Sequence, residues 1–454
     1  MSRSVARRLA MPTSIGDSFM LALAVLLAGY AIAGKTFAYL GVAPLYVGEL
    51  AFGLGILAFL QSRCAIATFA ALPSVVLGLL MGWALMRTLP YLGEFGVDAL
   101  RDSVIVLYGG FALITTALLL EKPDRLEQVI SFLRVLSMLV VPLAPFLLLL
   151  SDDANFKGSA ESSLVFVKPG TMGVHLAGAA VLLLLGFRRA NVVWVVLLLI
   201  GLAAAASQNR GGMLAAIAMI TFAAVASGKL RQFAVFLAIA VALIAIAYVA
   251  DLSIPTNRLR DISARQVVEN FLSILGDSED KLDRTKLWRV KWWETIIDYT
   301  FNGPYFWAGK GFGVSLAMAD GFVVGLDGNP NVPLLRSPHN CHFTILARTG
   351  VPGLALWLLT VASWSAAMVA SMIRARLRGD QAWANFFVLV FCYALGFLID
   401  ATFDVTLEGP MAGIWFWSLI GVGTGATMVY RASAPSMLES PRCLPLDPSE
   451  SRSA

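Results

Sequence analysis

The chain has 454 residues, of which 58% are hydrophobic and 14% are charged, and its formal net charge is +5. A soluble domain carries roughly 25% charged and roughly 45–50% apolar residues. The composition therefore excludes an ordinary soluble enzyme, a disordered chain and a secreted disulfide-rich domain, and it predicts an integral membrane protein.

Apolar runs bounded by turn residues and charges predict about twelve membrane-spanning helices, at ~20 apolar residues per span. In chain order, the predicted spans cover residues 18–34, 37–60, 64–86, 103–120, 128–150, 171–187, 191–206, 211–227, 232–250, 343–370, 383–401 and 410–430. The predicted fold is therefore an all-α, polytopic membrane protein.

The connectors between these spans predict their orientation, because lysine and arginine favour the cytoplasmic side of a membrane. When the basic N-terminus is placed in the cytoplasm, the connectors on that side are the basic ones. Their basic residues are Arg63, Lys122, Arg125, Arg188, Arg189, Lys229, Arg231, Arg374, Arg376, Arg378 and Arg431. Both termini are therefore predicted to be cytoplasmic. The first span is similar to a signal peptide, but a second span follows it at once, so we expect an uncleaved helix.

The predicted spans and one long segment between them define the organisation of the chain. Residues 1–250 form a transmembrane bundle of the first nine spans, and residues 343–431 form the remaining spans. Residues 251–342 are too many for a simple connector, because loops beyond ~12–15 residues are usually functional or disordered. Helical periods in this loop argue against disorder. The tail, residues 432–454, is rich in proline and serine and is predicted to be disordered.

Within the loop, residues 284–299 predict an amphipathic helix that Asn302-Gly303-Pro304 ends. Its apolar positions recur at three- and four-residue steps and are Leu287, Trp288, Trp292, Ile296 and Tyr299. The basic residues Arg284, Arg289 and Lys291 suit a helix at the membrane–water boundary. Two interpretations stay open, since these cations either bind an anionic substrate or contact lipid phosphates.

Two further candidate residues lie at the ends of predicted spans, on the same side of the membrane as the loop. Arg210 lies in Ser207-Gln-Asn-Arg210-Gly-Gly212, and two such arginines together suit a diphosphate, because the guanidinium fork binds phosphate oxygens. The alternative is an arginine that reaches the interface without a function. His339 joins the loop to the tenth span and suits proton transfer from a sugar hydroxyl, although a structural histidine is the alternative.

Acidic residues follow the eleventh span at intervals of four residues. Asp400, Asp404 and Glu408 share one helical face if the helix continues. Acids at the end of a span are costly unless they are paired or hydrated. We expect them to neutralise Arg210 or Arg284 or, alternatively, to contact an acceptor. The same ambiguity applies to Glu49 and to the cluster Asp98, Arg101 and Asp102.

Two further features predict structure rather than chemistry. Gly309-Lys-Gly-Phe-Gly313 has neither a preceding strand nor the Lys-Ser/Thr ending of a nucleotide-binding loop, so we interpret it as a turn. His175, near the start of the sixth span, is predicted to pack between helices or line a cavity.

These motifs resemble those of the O-antigen ligase and O-antigen polymerase superfamily of bacterial membrane glycosyltransferases. Ser207-Gln-Asn-Arg210-Gly is similar to its Ser-x-x-Arg turn, and Arg284-Thr-Lys-Leu-Trp288 is similar to its Arg-three-residues-Trp motif. Pro304 with Gly309-Lys-Gly311 is similar to the Pro/Gly segment that follows. His339-Asn340, nine residues and then Gly350 match the ligase pattern, whereas Ala355 departs from it and slightly favours a polymerase.

The resemblance implies glycan transfer from an undecaprenyl-diphosphate carrier to an acceptor at the periplasmic face of the inner membrane. It implies no metal, cofactor or nucleotide sugar. Arg210 and Arg284 would hold the diphosphate, and His339 would act as general base for the acceptor hydroxyl or position it. The residues predicted to contact substrate are Asn340, Arg289, Lys291, Trp288, His342 and Arg336.

Several functions stay open at this stage. Lipid A-core as acceptor makes the protein a ligase, a carrier-linked glycan makes it a polymerase, as for an exopolysaccharide, and a protein serine or threonine makes it an oligosaccharyltransferase. From another class, a small-solute transporter would also need many spans. Transporters tend to show broken helices in matching halves, whereas the polar features here gather in one loop. Membrane lipid is an expected partner, and nucleic acid is not.

Overall fold

The computed structural model of the chain describes residues 14–150, 167–256, 261–276, 280–322 and 336–432, with backbone only for 275 and 280–286. Almost all of the predicted cytoplasmic tail, residues 433–454, lies outside the described residues. Within these ranges the fold is all-helical apart from two short hairpins, which confirms the predicted fold class.

The helices follow one another with short connections. In chain order they are α1 (Ile15–Ala33), α2 (Val47–Gln61), α3 (Leu72–Thr88), α4 (Val97–Leu107), α5 (Gly109–Glu121), α6 (Arg125–Leu150), α7 (Pro169–Leu184), α8 (Val192–Gln208), α9 (Arg210–Ser227), α10 (Leu230–Val249), α11 (Ala264–Leu275), α12 (Asp280–Ile297), α13 (Leu316–Asp320), α14 (Cys341–Leu377), α15 (Gln381–Phe403) and α16 (Pro410–Ala432). Short helical turns cover Lys35–Ala38, Ala67–Ala70, Leu89–Tyr91, Leu92–Phe95, Asp298–Asn302 and Thr406–Glu408. The antiparallel hairpins pair β1 (Gly41–Val42) with β2 (Leu45–Tyr46) and β3 (Ser253–Ile254) with β4 (Ile262–Ser263).

The apolar helices identify a multi-pass membrane protein. Among the described residues, 8 helices are long and apolar enough to cross a membrane, or 9 if α4 and α5, which meet at a 44° bend, count as one span. The shorter apolar helices α2, α7 and α8 correspond to the predicted spans 37–60, 171–187 and 191–206. Each predicted span therefore coincides with an apolar helix, but the predicted count of twelve is not confirmed.

Helix α16 lies at the centre of the bundle, with almost all of its side chains buried. Its glycines allow close packing, since a Cβ on Gly421 would lie 2.5 Å from the carbonyl oxygen of Ala112 in α5. Its buried indoles have hydrogen-bond partners, as Trp417 Nε1 donates to Ile105 O at 3.0 Å. Helix α10, by contrast, has no buried residue, so it lies at the periphery.

Close helix contacts gather three chain segments at one end of the bundle. A Cβ on Gly212 of α9 would lie 2.5 Å from the Cα of Gly170 in α7, so the first turns of these helices touch. A Cβ on Gly211 would lie 3.0 Å from the Cβ of Phe403, the last residue of α15. The starts of α7 and α9 therefore meet the end of α15. We call this region the loop end of the bundle.

Helix α14 is interrupted at Gly350, where φ is +69° and a turn of the loop docks. The amide of Lys310 donates to Ala347 O at 2.7 Å, and the amide of Gly311 donates to Arg348 O at 3.0 Å. These carbonyls are available because the break removes their helical partners. The segment 309–313 is therefore a turn against α14, as predicted.

The predicted loop helix is present as α12, which begins at Asp280 and is followed by a wider helical turn to Asn302. Trp292 and Ile296 are fully buried, but Leu287 is 65% exposed. Leu287, which the sequence predicts on the apolar side of the amphipathic helix, therefore does not share the buried environment of Trp292 and Ile296. Leu287 precedes Trp292 by five residues, which rotates it about 140° around the helix.

Candidate active site

His339 lies directly before α14 in an uncommon backbone conformation. Its φ is +54°, a region that non-glycine residues occupy at a cost of roughly 1–3 kcal/mol and mostly at functional sites. The preceding residue is fixed by the loop helix, because Trp293 Nε1 donates to Pro338 O at 3.0 Å. Trp293 also stacks on Phe343, with the ring centroids 5.1 Å apart. Helices α12 and α14 thus hold the His339 backbone from both sides.

Asn340 makes structural contacts at the start of α14. Its buried side chain caps the helix, and its Oδ1 accepts hydrogen bonds from the amides of His342 at 2.9 Å and Phe343 at 3.3 Å. Because this N-cap fixes the first residue of α14, it also fixes the position of His339, which directly precedes the cap. Substrate binding by Asn340 stays a prediction.

Both ring nitrogens of His342 have partners. Trp357 Nε1 donates to His342 Nδ1 at 2.9 Å, so Nδ1 is an acceptor. His342 Nε2 then carries the proton and donates to Thr402 Oγ1 at 3.3 Å, while the Thr402 hydroxyl donates to Leu398 O. This series of hydrogen bonds identifies the neutral His342 with its proton on Nε2, and it links α14 to α15. Substrate contact by His342 stays a prediction.

Asp404, the residue after α15, lies between a lysine and His339. Its Oδ2 is 3.1 Å from Lys168 Nζ, and its Oδ1 is 3.4 Å from His339 Nδ1. Oδ1 also accepts a hydrogen bond from the amide of Val405 at 2.7 Å. Burial raises the pKa of Asp404, but Lys168, His339 and this amide together lower it by more than burial raises it. The pKa of Asp404 therefore lies well below its usual value. Asp404 is therefore an ionised carboxylate.

Asp400, Asp404 and Glu408 would share a helical face only if α15 continued, but α15 ends at Phe403 and Asp404 is extended. They nevertheless act on one cation. Burial lowers the pKa of Lys168, but Asp404, Asp400 and Glu408 outweigh it, so the net shift is upward. Asp400 and Glu408 each also accept a threonine hydroxyl, at 2.8 and 2.7 Å.

Two arginines from different segments meet near the end of α15. Arg210 is the first residue of α9, and its Nη1 donates to Ser273 Oγ at 3.3 Å. Arg289 of α12 donates from Nη1 to Phe403 O at 2.8 Å. Burial lowers the pKa of Arg289 and the charge of Arg210 lowers it further, while Asp404 opposes both. Two guanidinium groups therefore share this region with one carboxylate.

The remaining predicted residues of α12 have different surroundings. Trp288 packs in an aromatic cluster of the loop, 5.2 Å from the Trp292 ring and 6.1 Å from the Phe322 ring. Lys291 is exposed. Arg284 lies on α12, but its side chain is outside the described residues. Their predicted contacts with substrate stay predictions.

Arg336 belongs to an ion-pair network that joins the loop to α4. Its guanidinium lies 3.4 Å from Asp98 and 3.0 Å from Asp102, and it donates to Gly313 O at 3.0 Å. The buried Arg348 of α14 also lies 3.0 Å from Asp102. These contacts anchor the loop, and substrate binding by Arg336 stays a prediction.

Comparison with known proteins identifies one segment of the chain. The model of the O-antigen ligase family, Wzy_C, matches residues 194–358. This segment is therefore similar to the O-antigen ligase family. No curated protein matches the chain. The match confirms the resemblance to the superfamily, whose members are membrane glycosyltransferases that act on lipid-linked glycans.

The matched segment contributes Arg210, Arg289 and His339 to the loop end. Lys168, directly before α7, and Asp404, directly after α15, lie outside that segment. From the sequence alone, the role of Asp404 stays open and Lys168 belongs to no candidate site. The sequence offers one indication of this contact. Lys168 is a lone lysine at the start of a predicted span, on the side of the membrane where the connectors carry fewer basic residues. Groups of three or more histidine, cysteine or acidic residues arranged for a metal ion do not occur in the described part of the chain.

Proposed function

We propose that this protein transfers a glycan from an undecaprenyl-diphosphate carrier to an acceptor at the periplasmic face of the bacterial inner membrane. One observation carries the proposal. The ionised Asp404 interacts with His339, Lys168 and Arg289, which come from separate segments and meet at the loop end. A transferase needs such a convergence, because the protein must orient two substrates and stabilise developing charge.

The arginines suit the diphosphate of the donor. In the reaction, the bond between the sugar C1 and the diphosphate oxygen breaks, and negative charge develops on that oxygen. Guanidinium groups bind phosphate oxygens through paired N–H donors. The buried Nε of Arg289 has no hydrogen-bond partner among the described residues, which supports a ligand there. Arg210 lies beside it, and we assign both to the donor, with Arg284 added from the resemblance.

His339 suits the acceptor hydroxyl. In the proposed step, His339 keeps a proton on Nδ1, the nitrogen near Asp404, and its Nε2 takes the hydroxyl proton as the new C1–oxygen bond forms. Asp404 then stabilises the imidazolium that results. The present 3.4 Å separation fits this role, since catalytic hydrogen bonds are often long before substrate binds and shorten in the complex.

The acceptor distinguishes the members of the superfamily. We propose lipid A-core, which makes the protein an O-antigen ligase. The alternative is a polymerase whose acceptor is a second carrier-linked glycan, and Ala355, where the ligase pattern departs, is the observation that favours it. Both acceptors use the same donor chemistry, so one reconstituted assay separates them.

The test is transfer by the full-length protein in liposomes that contain an undecaprenyl-diphosphate-linked glycan and either acceptor. We expect product with lipid A-core and at least about 10²-fold less product for His339→Ala and for Arg210→Ala, because each removes a group that acts in the transition state. Lys122→Ala, a half-exposed residue outside the site, is the control. Unchanged transfer by both site variants would discard the assignment, and product with the carrier-linked acceptor alone would indicate a polymerase.

A further inference from the structure

A buried asparagine of the loop docks α11 onto the end of α8. Asn270 is fully buried, and its Nδ2 donates to Ala206 O and to Ser207 O, both at 2.8 Å. Helix α8 ends at Gln208, so its last carbonyls have no donor from a following helical turn. The two hydrogens of one primary amide therefore satisfy two terminal carbonyls of α8.

A serine hydroxyl lies one turn further along α11 and contacts the helix that follows α8. Ser273 Oγ donates to Asn270 O at 2.8 Å, which uses the single hydrogen of the hydroxyl. Towards Arg210, whose Nη1 lies 3.3 Å away, the Ser273 oxygen therefore acts only as an acceptor. The hydroxyl of the loop helix is thus already oriented for the guanidinium.

Arg210 begins α9 directly after the junction that Asn270 holds. Asn209 separates α8 from α9 and caps α9, since its Oδ1 accepts from the amide of Gly212 at 2.7 Å. The cap fixes the backbone of Arg210, and Ser273 holds its side chain. An arginine side chain has many rotamers, and ordering them opposes ligand binding. A contact that orders the guanidinium before the ligand arrives therefore strengthens binding.

A second serine–arginine pair at the other end of α8 provides a matched comparison. Ser137 of α6 donates to Arg134 O at 2.8 Å and accepts from Arg188 Nη1 at 2.9 Å. Arg188 precedes α8, whereas Arg210 follows it. The two serines make the same kinds of hydrogen bond, but Ser137 contacts an arginine outside the candidate site. Loss of the Ser137 hydroxyl is therefore the control for loss of the Ser273 hydroxyl.

We propose that Asn270 and Ser273 are positioning residues that hold Arg210 in the orientation that binds the diphosphate of the donor. Asn270 sets the place of α11 against the junction of α8 and α9, and Ser273 then accepts from the guanidinium. This role rests on the proposed function, in which Arg210 binds the donor. Both residues act through Arg210 and need no contact with substrate.

Binding of farnesyl diphosphate, a short isoprenyl diphosphate, tests this role with full-length protein in phosphatidylcholine nanodiscs. We expect Ser273→Ala to raise the Kd about 3–10-fold, because the ligand must then order Arg210 itself. Ser273→Thr keeps the hydroxyl and should retain most of the affinity. In an Arg210→Ala background, Ser273→Ala should have no further effect on the Kd, since the contact through which it acts is already absent.

The remaining variants separate positioning from stability. Ser137→Ala should leave the Kd unchanged and should alter the Tm to a similar extent as Ser273→Ala, because each variant loses the same kinds of hydrogen bond. Asn270→Leu should weaken farnesyl diphosphate binding at least as much as Ser273→Ala and should also lower the Tm, because two buried carbonyls lose their donor.

Two results would overturn the positioning role. These are an unchanged Kd in Ser273→Ala, or an equal loss of affinity when Ser273→Ala is added to Arg210→Ala. A Kd that Arg210→Ala itself leaves unchanged would contradict the assignment of Arg210 to the donor, and the positioning role would fail with it. The single variants therefore distinguish a failure of this inference from a failure of the proposed donor site.

Discussion

His339 and His342 are three residues apart, but their imidazoles have different environments. Both nitrogens of His342 are engaged, by Trp357 and Thr402, so this ring is held as a neutral link between helices. His339 has a carboxylate near Nδ1 and a backbone conformation that holds it at the end of the loop. At the scale of the residue, the two imidazoles therefore differ, since His342 links two helices and His339 lies beside a carboxylate.

The role of Asp404 yields a prediction about activity. Asp404→Asn keeps the shape of the side chain but removes the charge that orients His339 and neutralises Lys168. We expect transfer in the liposome assay to fall at least about 10-fold, because the imidazole loses the carboxylate that orients it and stabilises its protonated form. Asp380→Asn, before the opposite end of α15, is the matched control and should retain full activity. Equal rates for both variants would remove Asp404 from the site.

The lowered pKa of Asp404 also predicts a pH dependence of stability. The carboxylate stabilises the folded state fully above its unfolded pKa of about 3.9, and this contribution is lost as pH falls through the lower folded pKa. The difference in Tm between the unmodified protein and Asp404→Asn should therefore shrink as pH falls below about pH 4. A difference that grows as pH falls below about pH 4 would contradict the ionised assignment.

At the scale of the element, Gly350 joins α14 to the loop. The motif of His339-Asn340 and a glycine after nine residues has a structural explanation here. Asn340 caps the helix behind His339, and the break at Gly350 provides carbonyls for the docked turn. This contact needs a glycine in each segment, Gly350 in α14 and Gly309 in the docked turn. A Cβ on Gly309 would lie 2.4 Å from the carbonyl carbon of Arg348.

Gly350→Ala tests this junction. The new Cβ would lie 2.5 Å from Phe306 O, and φ is +69°, so we expect a loss of at least about 1–2 kcal/mol in unfolding free energy. Thermal unfolding of the purified protein should show a lower Tm and cleavage of the loop by protease at a lower temperature. Gly82→Ala is the control, because its Cβ would have nothing within 4 Å. Equal Tm values for the two variants would contradict the docking.

At the scale of the whole molecule, composition and periodicity predicted the apolar helices and the loop helix, because burial in a membrane imposes a simple pattern on sequence. The motifs predicted Arg210 and His339 as neighbours at one end of the bundle. The contact of Lys168 with Asp404 could not be predicted, since the two residues are 236 positions apart and meet only through helix packing. The exposure of Leu287 and the end of α15 at Phe403 likewise depend on neighbouring elements.

The most direct measurement of the central claim is glycan transfer by His339→Gly with and without added imidazole. Glycine suits the φ of +54° at this position, so the variant should fold at least as well as the unmodified protein. We predict an unchanged or higher Tm, a fall in transfer of about 10²–10⁴-fold, and partial recovery with imidazole, which restores the missing base. Normal transfer by this variant, or a loss that imidazole does not relieve, would contradict proton transfer by His339.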